Sequence, residues 1–462
     1  VERNHNIIRT CGADLVLTTD AYASRYPEAV VLESDVGTDD SIPSSNLNLD
    51  IKTGDRCYVV FTSGSTGAPK GAVLTHGAAT NGMAYFSLNG LQRWLLFYNP
   101  TFSAAQRTML STLVHGGTLL LASKQRLTQR LAETVQKMQV EAMGITPSAL
   151  SVIRPEDVPT LKMVTLVGEK IPRELVAAWA DHVHLRNTFG LSECAQLNFG
   201  TRLHASSNPG IVGRPTDTTQ AYILKPGTIE LAPMGVAGEL CLAGPQLAAG
   251  YLTSDSGSVR ASDVFVPNPF GSGMMYRTRD MARMHAEGVE ILGRLDFQAK
   301  INGQKVNPAE IDRTLSQHPG IAQCAVVTVD MRNKPTIVAA VVPFPGQSWP
   351  ELVASLRSHA TERLPAYMVP SLWMEMPSLP TNPNGKTDVR RIQARVLETG
   401  WDALVAATIS SHSQPLTDPV EVQLASVWAD VLSLPISTIN HDTSFISLGG
   451  TSIEGIKVIN EM

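Results

Sequence analysis

A segment rich in glycine and hydroxyl side chains, residues 62–71, lies between two apolar runs and constrains this chain more than any other part of it. The runs at residues 58–61 and 72–74 have the composition of buried strands. Glycine permits the positive φ values that turn successive N–H groups to one side, while the hydroxyls and Lys70 add donors and a positive charge. The segment therefore predicts a strand–loop–strand unit that binds a polyanion, with a plain flexible loop as the alternative. It does not fit the phosphate loop GxxxxGK[ST], because Pro69 stands where that pattern needs glycine.

Six further motifs follow in order along the chain. They are NTFGLSE at 187–193, GELCLAG at 238–244 with GYL at 250–252, YRTRD at 276–280, GRLDFQAK at 293–300, LPAYMVP at 364–370 and NGK at 384–386. With residues 63–71 they resemble the signatures of the adenylate-forming enzymes, a family that includes nonribosomal peptide synthetase adenylation domains, acyl-CoA synthetases and luciferases. The seven motifs span most of residues 56–390, so we expect ATP-dependent activation of a small-molecule carboxylic acid as its acyl-adenylate.

Composition excludes several other classes of protein. A net charge of −5 among 462 residues gives no electrostatic basis for binding nucleic acid or an anionic membrane, and we expect neither partner. The five cysteines form no CxxC pair, which favours a reducing, cytoplasmic location over a disulfide scaffold or a zinc site. No apolar run reaches membrane-spanning length, and the first residues contain neither a signal peptide nor an initiator methionine. Since family members carry more of the large lobe before this point, the resemblance implies an internal fragment.

The pattern of strands and helices predicts four units along the chain. Residues 1–295 alternate short apolar runs with amphipathic stretches, which predicts a large layered α/β lobe with largely parallel sheets and a β-rich subdomain near 210–292. Residues 296–400 predict a small, mobile α+β lobe, and residues 401–417 a polar linker. Residues 418–462 predict the start of a helical carrier domain that is incomplete at residue 462.

The carrier prediction depends on the string LGGTS at residues 448–452. It resembles the attachment motif of acyl and peptidyl carrier domains, in which the serine bears a 4'-phosphopantetheine arm. Ser452 would lie exposed at a helix start, where a phosphopantetheinyl transferase can reach it. The alternative interpretation is a simple helix cap. Following an adenylation domain and a linker, the motif favours a module that works with neighbouring synthetase domains.

The resemblance assigns a role to each residue of the nucleotide site. Lys386 would bridge the substrate carboxylate and the phosphate, and Glu193 would bind Mg²⁺. Asp296 would be the hinge about which the small lobe swings, so that the loop around Gly303 replaces Lys386 before thioester formation. The remaining nucleotide-binding residues would be Thr62, Ser63, Gly64, Ser65, Thr66, Gly67 and Lys70 at the phosphates, Phe189 at the adenine, Gly190 and Ser192 beside it, and Asp280 and Arg294 at the ribose.

Each of these side chains also has an ordinary structural interpretation. Lys386 could be a solvated loop lysine, Glu193 a carboxylate at a helix N-terminus, and Phe189 a core residue. Asp280 and Arg294 could be ion-pair partners at the surface. Arg279 stands where the family has glycine, and this departure could disturb the loop that carries Asp280.

Alignment with the family also predicts the acid-binding pocket. Members that activate α-amino acids have an aspartate where this chain has Ser103, and a serine cannot neutralise a buried ammonium. We therefore expect an acid without a free α-amino group, or one with the amine placed elsewhere: an aryl, hydroxy, keto or β-amino acid. Arg107 would either bind a second carboxylate or another oxygen-rich group, or point to solvent. The pocket residues predicted in this way are Ser103, Ala104, Arg107, Ser148, Thr165, Val167, Thr188, Gln196 and Leu197.

Two alternative functions remain open. A free-standing acyl-CoA or aryl-acid ligase would use diffusible coenzyme A, and the motif at Ser452 argues against it. A catalytically inactive scaffold would not need Lys386, Glu193 or the loop at residues 62–71.

Overall fold

The computed structural model of the chain describes most of its length. The described residues are 2–32, 45–62, 69–83, 90–195, 197–253, 258–260, 263–295, 299–301, 304–332, 334–381, 387–407, 416–432, 434–441, 443, 445, 448, 450 and 452–462.

The large lobe is built from eighteen described strands and eight described helices. The strands are β1 (Leu17–Thr18), β2 (Val30–Val31), β3 (Arg56–Thr62), β4 (Lys70–Thr75), β5 (Arg93–Leu95), β6 (Thr118–Leu120), β7 (Ala142–Ile145), β8 (Met163–Leu166), β9 (His184–Phe189), β10 (Phe199–Arg202), β11 (Ile211–Pro215), β12 (Gln220–Leu224), β13 (Gly238–Ala243), β14 (Gly250–Leu252), β15 (Val259–Arg260), β16 (Phe265–Pro267), β17 (Met274–His285) and β18 (Gly288–Arg294). The helices are α1 (Glu2–Cys11), α2 (Asp20–Ala23), α3 (His76–Met83), α4 (Ser103–Val114), α5 (Lys124–Gln129), α6 (Leu131–Lys137), α7 (Pro147–Leu150) and α8 (Arg173–Trp179).

One sheet of twelve strands dominates this lobe, in the order β12-β13-β17-β18-β11-β10-β9-β8-β7-β5-β6, with β16 against β17. Strands β5 to β9 pair in parallel, and all four residues of both β7 and β8 are buried, as expected where helices cover both faces of a parallel sheet. The strands beyond β9 pair antiparallel. The predicted α/β lobe with a β-rich subdomain is confirmed, but parallel pairing is limited to the half that precedes β10 and to the short pair β1–β2.

The glycine-rich segment connects two strands of a second sheet, of order β15-β14-β4-β3. The predicted runs at 58–61 and 72–74 lie within β3 and β4, which form an antiparallel hairpin whose last described pair is Thr62 and Lys70. Strand β14 pairs with β4 through Tyr251 and Ala72. The GYL motif therefore lies beside β4, the strand that follows the glycine-rich loop, although the two are far apart in sequence.

The small lobe and the carrier segment follow β18. Their elements are β19 (Ala299–Ile301), β20 (Gln304–Val306), α9 (Pro308–Leu315), β21 (Ile321–Met331), β22 (Lys334–Pro343), α10 (Trp349–Arg363), β23 (Leu372–Glu375), α11 (Val389–Thr399), α12 (Trp401–Ala407), α13 (Pro419–Leu432) and α14 (Ser452–Glu461). Strands β21, β22 and β23 form one sheet. Helices α9 and α10 pack in one hydrophobic cluster with this sheet, and α11, α12 and α13 pack in another.

The segment predicted as a linker begins inside this second cluster. Residues 401–407 form α12, and its Leu404 and Val405 are buried in the same core as Ala425 and Ala429 of α13. The first part of the carrier segment therefore packs on the small lobe. A further contact comes from Arg332, in the turn between β21 and β22.

Arg332 contacts three residues on two helices of this interface. Its guanidinium donates to the carbonyl of Leu432 at 2.9 Å and to Asp402 at 2.7 Å, and it lies 5.0 Å from the ring centre of Trp401. Leu432 is the last residue of α13, so the cation meets the negative end of the helix dipole. The turn of the small-lobe sheet is thereby attached to both α12 and α13.

None of the helices in the described ranges combines the length and apolar character that a membrane crossing requires.

Candidate active site

The described part of the glycine-rich loop places its lysine beside an aromatic ring. Lys70 Nζ lies 5.6 Å from the ring centre of Tyr251, a distance typical of a cation–π contact. Thr62 pairs with Lys70 at the mouth of the loop. The other predicted phosphate-binding residues, Ser63, Gly64, Ser65, Thr66 and Gly67, lie outside the described residues.

The carboxylate expected to bind Mg²⁺ is held by a tyrosine. Tyr251 Oη donates to Glu193 Oε1 at 2.8 Å, and Glu193 is only 1% exposed. Burial, and then the charge of Glu193, raise the pKa of Tyr251 far above its ordinary value, so the phenol keeps the proton that it donates. Tyr276 Oη lies 3.4 Å from Tyr251 Oη. The hydrogen bond from Tyr251, a residue of β14, thus orients Glu193.

A Mg²⁺ ion at this point would rely on few protein ligands. In the described part of the chain, no group of three or more His, Cys, Asp or Glu side chains is arranged to hold a metal. Mg²⁺ commonly takes one or two carboxylates and completes its shell with phosphate oxygens and water. Glu193 fits an ion that is bound together with the nucleotide phosphates.

The two residues expected at the ribose are direct partners. Asp280 and Arg294 face each other on β17 and β18, and Arg294 Nη1 donates to Asp280 Oδ1 at 2.9 Å. Arg294 Nη2 also donates to the carbonyl of Thr278 at 3.2 Å. No described group lies within hydrogen-bond distance of Asp280 Oδ2, which is buried. A buried acceptor left over in this way fits a ribose hydroxyl.

The arginine that stands before Asp280, where the family has glycine, lies within strand β17, and the strand is formed. Arg279 adopts the left-handed conformation, with φ +62°, that glycine adopts without cost. Its carbonyl accepts from the backbone N–H of Leu295 at 2.8 Å. The backbone thus keeps a glycine-type conformation at the expense of strain at Arg279.

A hydrogen bond connects the predicted acid pocket with the nucleotide motif. Ser103, the first residue of α4, and Ser192 have their hydroxyl oxygens 2.9 Å apart. Ser192 immediately precedes Glu193. The position that carries an aspartate in amino-acid-activating relatives therefore lies next to the expected reaction site.

Arg107 lies one helical turn beyond Ser103 on the same face of α4 and is 6% exposed. The structure thus favours the interpretation in which it is buried over the one in which it points to solvent. Burial lowers the pKa of Arg107 to about 10. The neighbouring Arg186 lowers this pKa further, whereas Tyr98 and Tyr58 raise it. The guanidinium therefore remains protonated at neutral pH.

Two hydroxyl groups lie close to the backbone of Gly144, on the sheet side of the predicted pocket. Gly144, Thr165 and Arg186 are register neighbours across β7, β8 and β9, so their positions lie on one face of the sheet. A Cβ at Gly144 would come within 3.0 Å of Thr165 Oγ1 and 3.2 Å of Tyr98 Oη. Glycine at position 144 allows these two hydroxyls to approach the strand.

The remaining predicted pocket residues have varied surroundings. Val167 packs against the cluster that contains Ala104 and Tyr98. The Ser148 backbone N–H donates to Glu169 Oε2 at 3.0 Å, and the Ser148 hydroxyl donates to the same oxygen. Thr188 Oγ1 donates to the carbonyl of Leu166 at 2.8 Å, and Leu197 is buried.

Phe189 has the surroundings of a core residue, which is the structural alternative to adenine binding. It is 7% exposed and lies edge-on to Phe199, with ring centres 5.9 Å apart, inside a hydrophobic cluster of the large lobe. Gly190, which follows it, is also buried. Stacking on adenine would use the small exposed part of the Phe189 ring.

Several predicted residues lie outside the described part of the chain: Gln196, the hinge residue Asp296, Gly303 and Lys386. The helix α14 begins at Ser452, as the carrier motif predicts. A Cβ at Gly450 would meet the ring of Phe445 at 2.4 Å, and Phe445 contacts Trp428 of α13 with ring centres 5.1 Å apart. Glycine at position 450 therefore allows the turn before Ser452 to pack on the carrier core.

Comparison with known proteins identifies this arrangement of lobes and site residues. The sequence model of the AMP-binding enzymes matches residues 2–252, that of the AMP-binding enzyme C-terminal domain residues 310–386, and that of the phosphopantetheine attachment site residues 422–462. Because the first match covers more than half of the chain, the protein belongs to the AMP-binding, adenylate-forming enzymes. Within the chain, this adenylate-forming unit is followed by a carrier segment, which the phosphopantetheine attachment model matches. The family uses ATP and Mg²⁺, and the carrier segment implies a 4'-phosphopantetheine arm.

Curated relatives and solved structures agree with this assignment. The chain is 43% identical over 468 residues to the nonribosomal peptide synthetase sidE of Aspergillus fumigatus, in a match that covers 100% of this chain and 22% of that protein. It is 46% identical over 411 residues to nonribosomal peptide synthetase 7 of the same fungus, covering 88% of this chain and 17% of the relative. The chain thus spans about a fifth of the length of these relatives. A similar solved structure is that of holo-PA1221, an NRPS protein containing adenylation and PCP domains bound to a vinylsulfonamide inhibitor. The match has a TM-score of 0.75 at 21% identity and covers 98% of this chain and 76% of that one. The two proteins therefore share a fold.

Sequence reasoning missed four residues that contribute to the site. These are Tyr58, Tyr98, Glu169 and Arg186. The register of Arg186 beside Thr165 could have been derived from adjacent parallel strands, but the position of Tyr98 and Tyr58 depends on tertiary packing. Tyr251 lies in a recognised motif, yet nothing in the sequence indicated its bond to Glu193.

Proposed function

We propose that this chain activates a carboxylic acid without a free α-ammonium group and transfers the acyl group to a phosphopantetheine thiol on Ser452. The observation that carries the proposal is the hydrogen bond between Ser103 and Ser192, because it joins the substrate pocket to the nucleotide motif through an uncharged residue. An α-ammonium beside Ser103 would lack the neutralising carboxylate that burial demands.

In the first step, a carboxylate oxygen of the acid attacks the α-phosphorus of ATP, the bond to pyrophosphate breaks, and pyrophosphate leaves. The acid and the triphosphate are both anionic, so the protein must mainly neutralise and align charge. Lys386 would act at the reacting oxygens, Lys70 with the loop at 62–71 at the outer phosphates, and Glu193 at the metal. Asp280 and Arg294 would orient the ribose, for which the remaining buried acceptor of Asp280 is suited.

In the second step, a phosphopantetheine arm held by Ser452 would supply a thiol as nucleophile toward the acyl carbon, whose bond to the phosphate oxygen breaks so that AMP leaves. We infer that Asp296 is the hinge between lobes at 1–295 and 296–400, and that Lys386 leaves the site as the loop around Gly303 enters. A linker that begins after α12, rather than at residue 401 as expected from the sequence, and a carrier unit from 418 complete the proposed arrangement. A phosphopantetheinyl transferase would modify Ser452 in the reducing cytoplasm, where the five thiols, which form no disulfide, would persist.

Exchange of labelled pyrophosphate into ATP tests the first step. We expect exchange that depends on a carboxylic acid, with acids lacking an α-amino group preferred over proteinogenic α-amino acids, and a loss of at least about 100-fold in Lys386→Ala. A matched control is Lys170→Ala, because Lys170 is exposed. Preference for ordinary α-amino acids would contradict the argument from Ser103.

Mass spectrometry after incubation with a phosphopantetheinyl transferase and coenzyme A tests the second step. One phosphopantetheine should add to the wild type and none to Ser452→Ala. Acyl transfer to free coenzyme A at a rate equal to transfer to the arm would instead favour a free-standing ligase, and absence of both activities would favour a scaffold.

A further inference from the structure

The buried surroundings of Arg107 indicate what the far end of the pocket binds. Ser103 and Arg107 are 7% and 6% exposed, so one face of α4 carries a hydroxyl next to Ser192 and a guanidinium a turn deeper. Among the residues that the structure describes, the groups that act electrostatically on Arg107 include the phenols of Tyr98 and Tyr58 and a second guanidinium, that of Arg186. The deep end of the pocket is therefore lined by cations and hydroxyls.

A carboxylate also belongs to this group. Glu169 acts on Tyr98 and is the carboxylate of the group, and its Oε2 already accepts from the backbone N–H and the hydroxyl of Ser148. Arg107 is only 6% exposed, so little water reaches its guanidinium. Since a cation removed from water is costly, a ligand with one negative charge at this point would stabilise the site.

The geometry of the ligand follows from the helix and the sheet. Tyr98 Oη and Thr165 Oγ1 converge where Gly144 lacks a side chain, so hydroxyl donors lie on the sheet side of the pocket. A guanidinium presents parallel N–H groups that match the two oxygens of a carboxylate. The ligand would be roughly four to six carbons long, because Ser103 and Arg107 are one helical turn, about 5.4 Å, apart along α4.

We propose that the activated acid is a short dicarboxylic acid whose second carboxylate is bound by Arg107, with Arg186, Tyr98 and Thr165 around it. This inference rests on the proposed function and specifies its substrate. The carboxylate near Ser103 and Ser192 reacts, and the carboxylate at Arg107 stays ionised and fixes which end of the acid reaches the nucleotide.

Matched pairs of acids test this proposal in the pyrophosphate-exchange assay. Succinate and glutarate are compared with butyrate and pentanoate, which have the same lengths but lack the second charge. We expect the diacid of each pair to have a kcat/KM higher by about 10- to 100-fold, the range of a hydrogen-bonded charge. In Arg107→Met this ratio should fall to near one, and Arg107→Lys should restore part of it. Arg173→Met, at an exposed position on α8, should keep the ratio of the wild type.

The outcomes separate this inference from the function on which it rests. Exchange with monoacids or amino acids at rates equal to or above those of the diacids would overturn the dicarboxylate assignment and leave acid activation standing. Exchange with no acid would overturn both. Equal losses for diacid and monoacid in Arg107→Met would show that Arg107 only supports the fold. A dicarboxylate-induced rise in Tm that is present in the wild type and absent in Arg107→Lys and Arg107→Met would confirm binding independently of turnover.

Discussion

Tyr251 Oη donates a 2.8 Å hydrogen bond to Glu193 Oε1 across 58 residues of sequence. The bond joins the GYL motif to the last residue of the NTFGLSE motif, and the ring of the same tyrosine lies beside Lys70 of the glycine-rich loop. Three motifs that are separate in sequence therefore meet at one phenol. This relationship gives Tyr251 a positioning role at the metal and phosphate end of the site.

Tyr251→Phe should lower kcat/KM for pyrophosphate exchange by about 10- to 100-fold, because a hydrogen bond to a charged group is worth about 1.5–3 kcal/mol. It should also raise the Mg²⁺ concentration needed for half-maximal rate, since Glu193 loses its fixed orientation. Tyr276→Phe is the matched control, as it removes a hydroxyl 3.4 Å from that of Tyr251. An unchanged Mg²⁺ dependence in Tyr251→Phe would refute the positioning role.

Arg279→Gly should stabilise the protein by up to about 1 kcal/mol, because the left-handed conformation costs an L-residue about 1–2 kcal/mol and glycine much less. The ion pair with Asp263, at 3.9 Å and solvent-exposed, offers little compensation. Arg279→Ala removes the same side chain but retains the Cβ, so it should not stabilise. Urea unfolding distinguishes the two, and equal midpoints would rule out backbone strain as the cause.

Glu310→Gln should flatten the pH dependence of stability in mildly acidic solution. Burial raises the pKa of Glu310 above 4.5, and Arg3, 3.3 Å away, opposes the shift. The folded protein thus holds a proton that the unfolded chain has released, so the free energy of unfolding falls as pH rises from about 4.5 through the raised folded-state value. Urea midpoints between about pH 4 and pH 7 measure this loss. Glu351→Gln, at an exposed site on α10, should behave as the wild type.

Arg332→Ala should loosen α13 from the small lobe by about 1–2 kcal/mol, since it removes a charged hydrogen bond to the helix C-terminus and a cation–π contact. Hydrogen exchange should become faster in α13 and remain as in the wild type in β8. Asp402→Asn, which removes only the exposed ion pair, should have the smaller effect. If the amides of α13 are equally protected from hydrogen exchange in all three proteins, Arg332 does not hold α13 on the small lobe.

The sequence allowed most of the α/β organisation to be predicted because local patterns determine it. The run at 163–167 is mostly apolar because β8 is covered on both faces, and the helical unit predicted from residue 418 begins with α13. Pairing between strands that are distant in sequence is not determined by local patterns. The short strands after β9 become antiparallel neighbours of one another through contacts that no local pattern records, so the extent of the antiparallel half was not foreseen.

The same distinction applies to the site. Motif order placed Asp280 and Arg294 near one ligand, and their register on β17 and β18 makes them partners. By contrast, whether Arg107 is buried or solvated depends on what packs against α4, and the sequence left both interpretations open. The hydroxyls of Tyr98 and Thr165 converge only because Gly144, on a third strand, leaves room for them.

The shared core of α13 and the small-lobe sheet has a mechanical consequence. If the small lobe rotates about Asp296, as we propose, α13 cannot stay behind without exposing Ala425 and Ala429, which are buried in that core. The attachment serine would then move together with the small lobe. The distance that it travels would depend on the rotation of that lobe rather than on the length of the connecting peptide.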